Sequence, residues 1–246
     1  MRARVVVQML CVALVSVATG CGVIDSSPPA TTPTTRTTNL LTSTAGQQNS
    51  WSTSAPANAV AARAQLATLA IKGRAPMTGY GRSQFGRAWS DAVTVDGGHN
   101  GCDTRDDILK RDLTNITFVG GVCKVASGTL NDPYTGKTIK FVRGDRTSMK
   151  VQIDHVVPLA DAWQKGAQQW TADKRLNLAN DPRNLLAVDG STNQAKGAGD
   201  AATWLPPNKS FRCTYVSKQI AIKAAYRLWV TQAEHDAMER MLATCK

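Results

Sequence analysis

Two short apolar runs, 151–157 and 185–188, constrain this chain more than any other feature of its 246 residues. Val151, Ile153, Val156 and Val157 are β-branched and stop at Pro158, which reads as a strand carrying Asp154 and His155 at its exit. Leu185 to Val188 forms the second run. It leads through Asp189-Gly190 into Ser191-Thr192-Asn193-Gln194-Ala195-Lys196, a short helix with Ser191 as its N-cap and Asn193 in its first turn. Strand, long loop, strand and helix make a compact frame on which a carboxylate, an imidazole and a carboxamide can converge although they are distant in sequence.

That set of groups suits metal-assisted hydrolysis of a phosphodiester. The carboxylate of Asp154 and the amide oxygen of Asn193 are hard ligands for a Mg²⁺-like ion that retains waters. His155 beside them can take a proton from attacking water. Taken singly the residues say little, since a strand-end Asp-His is more often a hydrogen-bonded surface pair and an Asn before a turn is more often a cap. The complete spaced set is what points to chemistry.

With D-H-V-V-P followed by N-L-L-A-V-D-G-S-T-N-Q-A-K-G, the chain resembles the ββα-metal site of HNH endonucleases. More closely, it resembles the endonuclease domain that ends GmrSD-type restriction enzymes and recurs in secreted actinobacterial HNH-family lipoproteins. The step from Asn184 to Asn193 also matches the HNH domain of RNA-guided CRISPR effectors. The resemblance implies that Asp154 and Asn193 hold the metal, that His155 is the general base and that Asn184 pins the loop. It departs from the family name in placing Asn193 where the last histidine would stand. No Cys-x-x-Cys pairs for a structural zinc are present. The motifs cover 151–208, and a looser likeness to the secreted members runs from Gly79 onward.

The N-terminal residues read differently. Arg2 and Arg4 precede an apolar run from Val5 to Val17, the pattern of a secretory signal over 1–20. Ala18-Thr19-Gly20-Cys21 resembles a lipobox, in which Cys21 would carry a lipid and hold the domain at a membrane; the alternative is ordinary cleavage leaving Cys21 a free thiol. Residues 21–56 are rich in Ser, Thr and Pro and read as an extended tether. The folded domain is then 57–246, with its site core at 151–208.

Within that domain, alanine-rich Ala59–Ile71 predicts a helix ended by Gly73 and Pro76, either docked on the domain or part of the stalk. Gly79, Gly81 and Gly86 alternate with Tyr80, Arg82, Phe85, Arg87 and Trp89, a strip able to contact a nucleic-acid backbone, or else a cover whose aromatics fill the core's edge. Asp103–Leu113 predicts a capped helix. Runs at Ile116–Val119, Val122–Ala126 and Thr138–Val142 predict a small antiparallel sheet. A helix from Pro158 to near Gly166 follows, with Trp163 and Trp170 buried against the frame. Two helices close the chain, the second opened by a capping box at Thr231-Gln232-Ala233-Glu234. His99 and His235 read as structural or surface residues.

Cys102, Cys123, Cys213 and Cys245 form an even set in a chain read as exported, so two disulfides are expected. Three pairings are open, and the local ones, Cys102 with Cys123 and Cys213 with Cys245, are chosen here. Zinc is the competing use, disfavoured by the wide spacing.

The formal charge is +11, and removing Arg2 and Arg4 leaves +9 in the remainder. Such a domain attracts polyanions, whether nucleic acid or anionic lipid and wall polymer. Lys150 and Lys196, nearest the site in sequence, are the candidates for steering phosphate. The reading is therefore an exported α+β domain with a ββα-metal centre, flanking helices and a small antiparallel sheet. It would act as an endonuclease on DNA, or RNA, with Mg²⁺ as the default ion and Mn²⁺ as a substitute. The rival is a basic lipoprotein that binds nucleic acid or wall polymer without catalysis; a toxin-like nuclease with an inhibitor partner is a third.

Overall fold

A computed structural model of the chain describes residues 55–245; the signal, Cys21 and nearly all of the tether read from the sequence lie outside them. Among the described residues no helix is long and apolar enough to cross a membrane. The fold is α+β: seven α-helices, a three-stranded antiparallel sheet and a two-stranded antiparallel pair are described.

Helix α1 (Ala55–Leu66) stops at Leu66, short of the expected Ile71, because the chain turns at 67–69 and Ile71 pairs with Val230. Its Ala59, Ala62 and Leu66 are buried against the C-terminal helices, so it is docked on the domain. Helix α2 (Thr104–Asp112) is capped by Asp103, whose side chain accepts from Asp106 N at 2.8 Å. It leads directly into β1 (Leu113–Phe118), which pairs with β2 (Val125–Asn131), itself paired with β3 (Thr138–Val142). The second expected strand, Val122–Ala126, is thus displaced towards Asn131, with Gly120 and Gly121 in the turn before it. Gly128 explains part of the error: a glycine inside a strand weakens the apolar pattern, yet here a Cβ would meet the Leu113 side chain at 2.6 Å.

β4 (Val151–His155) and β5 (Leu185–Asp189) pair antiparallel, Asp154 facing Leu186 and His155 facing Leu185. Between them α3 (Leu159–Gln164) starts after Pro158 as expected. The presumed long loop instead contains α4 (Ala172–Asn180), capped by Thr171. Helix α5 (Gly190–Lys196) follows β5 without a linker, and its cap is Asp189, which accepts from Thr192 N at 2.8 Å, and not Ser191. Gly190 is required there because a Cβ would sit 2.0 Å from the Met149 carbonyl oxygen.

The strand period of two divides β4. Val151 and Ile153 face α2 and the three-stranded sheet, in one apolar cluster with Leu109, Val125, Leu185 and Ala187. Gln152 and Asp154 face the side on which α5 lies. Fully burying an aliphatic side chain of this kind contributes about 1.5–3 kcal/mol, so the strand's apolar half fixes where its polar half points.

Helices α6 (Arg212–Tyr226) and α7 (Gln232–Ala243) close the chain, the latter capped by Thr231. Glu234 does not complete the capping box with its side chain. It is fully buried and pairs with Lys165 and Lys223. Lys165 Nζ is 2.8 Å from Asp200 and 2.6 Å from Glu234, and also pairs with Asp161; Lys223 Nζ is 2.8 Å from Asp161. This buried charge cluster joins α3, α6, α7 and the segment after α5, and Arg74 reaches it through Asp200. Both expected disulfides are present, Cys102–Cys123 spanning 21 residues and Cys213–Cys245 spanning 32.

Candidate active site

The exit of β4, the first turn of α3, the C-terminal half of α5 with the residues just after it, and the strip before Trp89 surround a cavity of about 330 Å³ lined by Gln152, Asp154, His155, Asn193, Tyr80 and Arg82, among others. The structure therefore brings Asp154, His155 and Asn193 together. Asn184 does not line the cavity; it lies beneath, fully buried.

Asn184 makes the link between the two strands' ends. Its Oδ1 accepts from Val157 N at 2.8 Å, its Nδ2 donates to Val157 O at 3.3 Å, and its carbonyl accepts from Val156 N at 2.7 Å. One side chain thus replaces the strand ladder where β4 ends. Asn184→Ala is expected to strand the buried Val157 N–H and lower stability by about 1–3 kcal/mol, measurable by chemical denaturation; an unchanged midpoint would refute this role.

His155 is buried, and its Nε2 lies 2.9 Å from the carbonyl oxygen of Ala179. Because a carbonyl only accepts, Nε2 carries the proton and Nδ1 is the ring's acceptor. Burial pushes the imidazole pKa down to about 4, and the charges of Arg82 and Lys196 act in the same direction against the Ala179 hydrogen bond. The ring is therefore neutral near pH 7. Trp89 stacks on it, centroids 6.0 Å apart and planes 11° from parallel.

Asp154 is buried and held from two sides. Lys196 Nζ donates to its Oδ1 at 2.8 Å and Oδ2 at 2.7 Å, and the Tyr134 hydroxyl donates to Oδ2 at 2.5 Å. Burial pushes the carboxyl up and the ammonium down, and their mutual attraction opposes both shifts. This corrects the expected role of Lys196. Three residues beyond Asn193 on α5, it turns inward, donates also to His155 O at 2.6 Å, and leaves nothing at the surface to steer phosphate. Lys150 is exposed but does not line the cavity.

Asn193 donates its amide N–H to Gln152 Oε1 at 2.9 Å, which fixes the amide's orientation and leaves its oxygen as the atom that could coordinate an ion. Among the described residues no cluster of three or more His, Cys, Asp or Glu side chains is placed to hold a metal. A Mg²⁺-like ion does not require one, since it keeps several waters and takes one or two protein oxygens together with substrate phosphate. Asp154 Oδ1, whose side-chain donor is Lys196, and Asn193 Oδ1 fit that limited set.

Sequence reasoning missed Tyr134 and Gln152, and it placed Trp89 in a strip without linking it to His155. Tyr134 lies in the segment Asp132-Pro133-Tyr134-Thr135-Gly136 between β2 and β3, and nothing local ties it to a carboxylate 20 residues later. Gln152 carried a signal, standing two before Asp154 and thus on the same strand face.

Residues 103–241 match the family described as GmrSD restriction endonucleases, C-terminal domain. An uncharacterized secreted protein of Arthroderma benhamiae is 40% identical over 190 residues, 76% of this chain and 86% of the relative. No solved structure matches the chain.

Proposed function

Since the chain belongs to the family of the C-terminal domain of GmrSD restriction endonucleases, we propose that it is a metal-dependent endonuclease with a ββα-metal centre formed by β4, β5 and α5. The observation that carries this reading is the single cavity shared by Asp154, His155 and Asn193, with the imidazole tautomer set by Ala179.

In the mechanism, His155 Nδ1 accepts a proton from the water whose oxygen attacks phosphorus. The bond from phosphorus to the 3′ oxygen breaks, and that oxygen leaves as alcohol after taking a proton from solvent. A divalent cation held by Asp154 and Asn193, most simply Mg²⁺ with Mn²⁺ as substitute, would stabilise charge on the phosphate and the leaving oxygen. Lys196 and Tyr134 orient Asp154, Gln152 orients Asn193, and Asn184 keeps the strand exit in place. The substrate is nucleic acid, DNA first.

We further read the protein as exported, on the signal-like residues 1–20, the disulfides and the relative named a secreted protein, with Cys21 as the point of lipid attachment. The full chain is expected to nick plasmid DNA with Mg²⁺ and to stop in excess EDTA. Equal cleavage in EDTA would remove the metal from the mechanism; DNA binding with no cleavage under any divalent ion would favour the non-catalytic lipoprotein.

A further inference from the structure

The strip Gly79–Trp89 precedes the matched residues 103–241, and the mechanism does not use it. A second cavity of about 230 Å³ adjoins the first, and Arg82, His155 and Leu159 line both. The two form one trough that passes over His155. One arm ends at Asp154 and Asn193; the other runs between Trp89, Ala179 and Arg87.

A phosphodiester within a strand continues in both directions from the bond that is cut, so a trough open on both sides of the base has the topology such a substrate needs. The charge also fits. Arg82 and Arg87 are exposed, and among the described residues neither forms an ion pair with a carboxylate. The one carboxylate of the trough, Asp154, is already paired with Lys196.

The strip is also held rigidly enough to aim its cations. Phe85 is buried in a cluster with Trp163 and Leu178, Arg175 Nε donates to Gln84 O at 2.7 Å, and Trp89 O accepts from Thr104 N. Trp89 itself has φ 56°, a left-handed backbone that a bulky residue adopts only when its surroundings impose it, which is common at functional sites.

We propose that Gly79–Trp89 is a substrate clamp, in which Arg82 and Arg87 bind the phosphates of the nucleic-acid strand flanking the scissile bond. This deepens the nuclease reading and rests on it. The expected contribution is that of two phosphate contacts to a single strand. Their loss should lower the slope of log affinity against log salt by about 1.4 and weaken binding about 25-fold at about 0.1 M salt.

The test measures fluorescence anisotropy of a labelled oligothymidylate across a salt series, in EDTA so that binding is separated from cleavage. Arg82→Ala/Arg87→Ala is compared with wild type and with Arg146→Ala/Arg240→Ala, exposed cations that line neither cavity. The clamp is supported if the first pair loses affinity and slope and the second does not. Arg82→Lys/Arg87→Lys should regain the slope, and Arg82→Gln/Arg87→Gln, which removes both charges but keeps long polar side chains, decides the matter if the alanine pair does not fold. Equal losses in the two alanine pairs, or no loss in the first, overturn the clamp, even if wild type cuts DNA. Intact binding and slope dependence without any cleavage would instead overturn the nuclease reading and leave the strand-binding surface standing.

Discussion

His155→Ala is expected to lower plasmid cleavage by about 10²–10⁴-fold, the usual cost of losing a positioned general base. The imidazole is neutral at working pH, its one proton is committed to Ala179 O, and no other histidine lines the cavity to replace it. Removing it leaves the oxygens of Asp154 and Asn193 in place, so Mn²⁺ binding measured by calorimetry should persist. Cleavage at the wild-type rate by folded His155→Ala would sink the assignment of the base. Asp154→Ala is a poorer probe of chemistry than the sequence alone indicates. It removes the counter-ion of buried Lys196, and breaking a buried pair in this way costs about 3–5 kcal/mol of stability. Asp154→Asn, which keeps an oxygen near the ammonium, is the variant to compare with Asn193→Ala.

Lys165→Met should lower stability by about 3–5 kcal/mol, because it strands buried carboxylates and does not merely delete a contact. Lys165 faces Asp161, Asp200 and Glu234, all essentially inaccessible, and only Lys223 and Arg74 would remain opposite them. In the native protein burial pushes Asp200 up, but Lys165 and Arg74 outweigh it and bring the carboxyl down to about 2. Its contribution is therefore present above its unfolded pKa and is lost as pH falls through about 2. Removing Lys165 takes away the largest influence that holds Asp200 down: burial then disfavours its ionised form, and that penalty is relieved as pH falls and Asp200 protonates. Urea titrations at pH 7 and pH 4 should show the gap between variant and wild type narrowing at the lower pH. A constant gap would mean that lost packing, not unpaired charge, causes the destabilisation.

The site's frame was legible in the sequence where local rules suffice. The β-branched run ending at Pro158, the Asp103 and Thr231 caps and the strand Thr138–Val142 follow from residue type and spacing, and each stands in the structure. The two disulfides joined neighbours in sequence, as chosen. What could not be read was set by distant partners. Helix α4 has few apolar residues, and it is held by buried Leu178 and by Lys174 and Arg175 donating to carbonyls of Tyr226 and Gln84. Lys196 looked like a surface cation because lysine is seldom fully buried unless paired; its partner Asp154 is 42 residues away. The charge cluster of Lys165 and Lys223 left no mark at all, since each member alone is an ordinary helix residue.

The bond between Cys213 and Cys245 ties the start of α6 to the end of α7, the two helices that deliver Lys223 and Glu234 to that cluster. Closing a loop of this length is worth about 3–4 kcal/mol, comparable to much of a small domain's net stability. Assembly of the domain is thereby coupled to the redox state of its surroundings. A chain kept among reducing thiols lacks the link that secures its fold, so whatever the site does is completed only where the two cysteines can oxidise.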